Sequence, residues 1–205
     1  MLIMEDLLEQ VSANAARAQP VDVCIGAHWT AVTVELDGQA RTGISSTLHG
    51  GDDDHHHGGG PPVKAAGRLH KQNVTALTEM ARSDSVLEAS VGVSAINALL
   101  DVDVDACVKV NAADVIAERG ADKNVAIVGH FPFIPRIRKI AKATWVLELN
   151  PREGDIPASR TPEFLPQADV VALTGTSLLN HTFDKLIDLC RPDAYVVVLG
   201  GTTPL

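Results

Sequence analysis

Four stretches in the second half of the chain constrain its fold most: NVAIVG (124–129), TWVLELN (144–150), ADVVALTG (168–175) and AYVVVLGG (194–201). Each is a nearly continuous apolar run of strand length. A strand with one face in water alternates apolar and polar residues, whereas a strand buried on both faces does not; such strands belong to parallel sheets covered by helices. Between the first two runs a helix is expected over roughly 134–142, with Pro135 near its start and Ile134, Ile137 and Ala141 facing inward. Between the last two, Phe183, Leu186, Ile187 and Cys190 recur at helical spacing before Pro192. Strand–helix–strand alternation predicts a doubly wound, Rossmann-like parallel-sheet domain.

The first half reads differently. Leu7, Leu8, Val11 and Ala15 place an amphipathic helix on the first 17 residues, ended by Pro20. VDVCIG (21–26) and TAVTVEL (30–36) form a hairpin pattern, followed by a turn at Asp37-Gly38 and a third strand over 41–47. Residues 48–68 lose all periodicity and read as a flexible loop. Helical pattern returns at 73–81 and at 85–100, where Ser85 and Glu88 stand in capping-box spacing. Ala89, Val93, Ile96 and Leu100 then form one buried stripe, and a short helix over 111–120 has Gly120 as its C-cap. The expected fold is α/β, with an α+β domain over 1–118 and the Rossmann-like domain over 119–205. A doubly wound sheet usually has more than four strands, so a chain truncated at its C-terminus is expected.

Composition removes several functions. The net charge is −9 and aromatics make up 3%, with no basic block to neutralise phosphates and few rings to stack on bases. Nucleic acid is therefore not an expected partner. No apolar run approaches the ~18–20 residues that span a bilayer, and the acidic start MLIMEDLLEQ lacks the basic region of a signal peptide. The expected place is the cytoplasm. Cys24, Cys107 and Cys190 are odd in number and far apart, which argues against disulfides or a cysteine zinc site and for packing in the core.

In open α/β sheets ligands bind beyond the carboxyl ends of the strands. That rule selects Gly129-His130-Phe131-Pro132 after the first strand and Glu148, Asn150 and Asp155 around the end of the second. Thr174-Gly175-Thr176, leading to Asn180 and Thr182, follows the third, and Gly200-Gly201-Thr202-Thr203 the fourth. Glu148 interrupts an apolar strand, where a carboxylate is costly unless paired or at a rim. It also lies 19 residues after Gly129, near the spacing of the acidic residue that grips ribose hydroxyls, although the glycine fingerprint is missing. His130 is a candidate ligand or acid/base. The basic residues Arg136, Arg138, Lys139 and Lys142 could attract an anion near a helix N-terminus but read first as a solvated helix face, and no catalytic triad is legible.

Several stretches occur together in order: VGVSAINALL, VGHFPFIPRI, VLELNPREGDIP, DVVALTGTSLLNHTFDKLIDL and VVVLGGTTPL, with IGAHWTAVTV near the start. With them the chain resembles a family of bacterial and archaeal proteins labelled "putative heavy-metal chelation". The resemblance implies an enolase-N-terminal-like α+β domain, a Rossmann-like domain and an interdomain pocket. It also implies ligand contacts at Asn97, Gly129, Phe131, Pro132, Glu148, Asp155, Thr174, Gly175, Thr176 and Asn180. Where the family has Gly-Pro-Ser-Thr-Pro after the last strand, this chain reads Gly200-Gly201-Thr202-Thr203-Pro204, and family members continue further.

The segment GDDDHHHGGGPP (51–62) supplies Asp53, Asp54, His55, His56 and His57 as metal donors. Flanking Gly and Pro hold no donor in place, so a solvated loop with adventitious metal affinity and a metal-capture loop both stay open. The expectation is a cytoplasmic protein, a homodimer on base rates, that binds a small molecule, a transition-metal ion or a metal chelate. Two alternatives accompany it: a small-metabolite enzyme with an adenosine-containing cofactor held by Glu148, and a structural or regulatory partner of a metal-transport system; whether any reaction is catalysed stays open.

Overall fold

The structure, a computed structural model, describes residues 2–48 and 63–204. The metal donors proposed at Asp53, Asp54, His55, His56 and His57 lie outside the described residues. The chain forms two compact units that do not follow a single cut. The first comprises Met1–Val102, Gly175–His181 and Gly201–Leu205, and the second Asp103–Thr174 and Thr182–Gly200.

In the first unit, α1 (Ile3–Arg17) buries Leu7, Leu8, Val11 and Ala15, the expected stripe, and Met4 with them. Strands β1 (Gln19–Ile25), β2 (Trp29–Leu36) and β3 (Gln39–Ser46) form an antiparallel meander in that order. Asp37 (φ 53°) and Gly38 (φ 77°) both take the left-handed conformation, the two-residue turn whose twist matches a hairpin. Thr30, Val32, Val34 and Leu36 of β2 are buried and the residues between them are not. Helices α2 (Val74–Glu79) and α3 (Val86–Leu99) follow, with Asn73 and Ser85 as N-caps.

Helix α3 departs from the single stripe read in the sequence. Every residue from Glu88 to Ile96 is buried, because the helix packs on β2 and β3 and also against α1 and α2. Its serines make this possible. Ser45 Oγ donates to Ser90 O (2.8 Å), and Ser94 Oγ lies 3.0 Å from both Thr30 O and Ser45 Oγ. Gly43 gives the room, since a β-carbon there would come within 2.2 Å of Ser94 O. Glu88 completes the helix start differently from a capping box. Its carboxylate accepts from Lys64 N (2.7 Å) and Ser83 Oγ (2.6 Å). Burial pushes the Glu88 carboxyl up, but the Ser83 and Lys64 hydrogen bonds and the Lys64 charge outweigh it and hold the group below its ordinary value.

The second unit contains α4 (Ala112–Gly120), β4 (Asn124–Val128), α5 (Ile134–Ile137), β5 (Ala143–Glu148), β6 (Ile156–Pro157), α6 (Thr161–Phe164), β7 (Val170–Thr174), α7 (Phe183–Leu189) and β8 (Tyr195–Leu199). The five strands are parallel, in the order β6-β5-β4-β7-β8. Ile116 of α4 and Ile134 and Ile137 of α5 pack with Val125, Ile127 and Val146. Leu165 and Leu186 pack with Ala126, Leu147, Val171 and Leu173 in a separate cluster. Neighbouring residues of one strand thus enter different cores, which explains the continuous apolar runs.

Three local expectations are corrected. The helix after β4 is one turn, Ile134–Ile137, because the chain must turn back to bond Lys142 N to Lys123 O before β5. Gly120 is the last helical residue and Asp122 (φ 57°) takes the left-handed position. Gly120 is small for another reason: a β-carbon there would lie 2.6 Å from Val125 Cγ2. Finally, Cys24 and Cys107 are exposed and Cys190 is half-buried, all as free thiols. Cys24 sits on the sheet's edge strand and Cys107 in the segment joining α3 to α4. Only Cys190 meets the core, and burial pushes its thiol up.

Candidate functional site at the strand tips

Winding reverses between β4 and β7, whose C-terminal ends lie side by side. Gly129 leaves β4 at φ 103° and donates to Leu147 O (3.0 Å). A β-carbon on Gly129 would lie 3.1 Å from Thr174 Cβ and 3.3 Å from Phe131 Cε2. The dihedral calls for glycine, and the approach of β7 makes the position tight as well. The next residues are His130, exposed, and Phe131, whose ring stacks on Phe133 at 5.2 Å. Pro132 is exposed and leads into α5.

Glu148 is the last residue of β5, half-buried, and its Oε2 accepts from Leu149 N at 3.1 Å. Asp155 reaches the same end of the sheet through β6, a two-residue strand paired to Leu147 and Glu148. Its side chain is only 2% exposed. Oδ2 accepts from Arg152 N (3.0 Å) and lies 3.5 Å from His130 Nδ1, and Oδ1 lies 3.8 Å from an Arg138 guanidinium nitrogen. Arg138 also donates to Gly154 O at 3.3 Å. The structure therefore joins His130, Asp155 and Arg138 in one cluster. Arg138, read from sequence with its basic neighbours as a solvated face, is indeed exposed, and it also lies beside Asp155, a contact that the sequence did not signal. Gly200 (φ 100°), at the end of β8, has open space about it and answers to a turn alone.

The remaining expected contacts, Asn97, Gly175, Thr176 and Asn180, belong to the first unit. Asn97 on α3 donates from Nδ2 to Ile44 O (2.9 Å) and Thr202 O (3.3 Å). Among the described residues its buried Oδ1 has no hydrogen-bond partner, nor has Thr203 Oγ1. Thr202 is 1% exposed, and its Oγ1 accepts from Ser46 N at 3.0 Å. Gly175 is buried, with Thr203 against it. Thr176 and Asn180 are half-buried. Among the described residues no three of His, Cys, Asp and Glu come together as a group able to hold a metal ion, and no helix is long and apolar enough to cross a membrane.

Two family models meet this geometry, each described as "Putative heavy-metal chelation". One, DUF4213, matches residues 8–100, and the other, DUF364, matches residues 111–205. The matches support the family that the motifs resemble. An uncharacterized protein of Methanocaldococcus jannaschii is 26% identical over 98% of this chain and 77% of its own length. Crystal structures of DUF364-family proteins of unknown function share the fold. The one from Pyrococcus horikoshii has a TM-score of 0.81 at 21% identity, and the one from Desulfitobacterium hafniense 0.70 at 20%. Each covers 98% of this chain and 80% of the other.

Proposed function

We propose that the protein binds a small ligand, a metal ion or metal chelate, at the tips of β4, β5 and β7. The observation that carries this reading is the cluster of His130 with the buried carboxylate of Asp155, beside a strand end opened by Gly129. The reversal of winding beside β4 is where such sheets receive ligands. Heavy-metal chelation in the description of both matching families supports the metal-bearing part of the reading. The second unit is read as Rossmann-like on its strand order, and the first as enolase-N-terminal-like on its meander followed by helices.

A second reading keeps an adenosine-containing cofactor. It is favoured by Glu148, at the tip of the strand next to Gly129, where an acidic residue meets ribose hydroxyls.

Thermal unfolding separates the two. Nickel, zinc or cobalt nitrilotriacetate at about 100 times its Kd stabilises a binding protein by about 2.7 kcal/mol, a rise of about 5 °C or more in Tm. Adenosine-containing cofactors leave Tm unchanged on the first reading. A rise with those cofactors and none with metals or chelates overturns it.

A further inference from the structure

The cluster around Asp155 divides its work unevenly. With a side chain 2% exposed, Asp155 is closed to a ligand, whereas the His130 side chain is 37% exposed. The ring thus has the buried carboxylate beside Nδ1 and part of its surface in solvent. A neutral imidazole carries its proton on one nitrogen and a lone pair on the other. Nδ1 lies 3.5 Å from the carboxylate, a charge contact that favours the tautomer with its proton on Nδ1 and its lone pair on Nε2. Arg152 N and Arg138 hold the two carboxylate oxygens, so Asp155 stays behind the ring. Metal-ligating histidines are set this way, with a carboxylate on the far nitrogen fixing tautomer and orientation.

We propose, resting on the metal-bearing reading above, that His130 Nε2 is the atom offered to the ligand and that Asp155 is a positioning residue. The ligand is a chelated transition metal with an open coordination position. One imidazole is one donor, and among the described residues no group of three donors surrounds it. The chelate brings the rest. Borderline metals such as nickel, cobalt and zinc suit an imidazole.

The test uses the full chain with His49, His55, His56 and His57 changed to Ala, which leaves His28, His70, His130 and His181. Long-range proton–nitrogen NMR reads the ring tautomers. The expected His130 form carries its proton on Nδ1, and zinc nitrilotriacetate shifts its Nε2. His130→Ala, at an exposed position, abolishes chelate binding, and Asp155→Asn weakens it about 10–100-fold while relaxing the tautomer. A His130 protonated on Nε2, or chelate affinity unchanged by His130→Ala, overturns the assignment. The second result leaves ligand binding itself standing, whereas failure of every metal and chelate in the thermal assay removes both.

Discussion

A β-carbon added to Gly175 would lie 2.7 Å from Thr203 Oγ1 and 2.8 Å from Thr203 N. The segment that follows β7 and the one that follows β8 meet there, backbone to backbone, in the first unit. Gly175→Ala is expected to cost about 1–3 kcal/mol through overpacking, read by urea unfolding. Thr203→Ala in the same chain recovers part of the loss by removing the nearer atom. Additive effects of the two changes would contradict the contact.

Glu88 gives a prediction in pH. Its folded-state value lies below the ordinary one, so its contribution is fully present above the unfolded glutamate pKa of about 4.3 and is lost as pH falls through the folded value. Glu88→Gln is expected to cost about 1.5–3 kcal/mol at neutral pH. The gap to the parent chain should narrow as pH falls below 4.3. A constant gap down to acid pH would show that the carboxylate charge contributes nothing.

Ser94 and Ser45 tie α3 to the sheet with buried hydroxyls 3.0 Å apart. Ser94→Ala leaves a buried acceptor with one partner fewer and is expected to cost about 1–2 kcal/mol. Chemical denaturation checks this, and an unchanged midpoint would remove the serine network from the account.

Much of this was legible because periodicity reports burial. The continuous apolar runs at 124–128 and 170–174 marked strands covered on both faces, and Asp37-Gly38 marked a tight turn, whereas the equally apolar run at 195–199 is a half-exposed edge strand. What the sequence concealed depended on contacts distant in the chain. Strand β6 has two residues, too few for any period, yet it carries Asp155 to the end of the sheet. Arg138 looked like one of several solvated cations until its approach to Asp155 was placed. The stripe on α3 was correct but incomplete, since a helix enclosed on all sides shows no polar face to betray its other contacts. The segments 175–181 and 201–205 join the first unit although they follow strands of the second.

Gly129→Ala should impair the site without touching an ionisable group. Its φ of 103° disfavours a side chain, and Thr174 Cβ would stand 3.1 Å away. Expected are a stability loss of about 1–3 kcal/mol and reduced stabilisation by metal chelates. Full chelate stabilisation in a folded Gly129→Ala chain would move the ligand elsewhere.

The most direct measurement compares chelate-induced Tm shifts in two full-length variants. One lacks the imidazoles of His49, His55, His56 and His57, and the other lacks only His130. Binding at the strand tips requires the first variant to keep the shift and the second to lose it. The reverse, a shift lost with the histidine tract and kept without His130, would contradict the account.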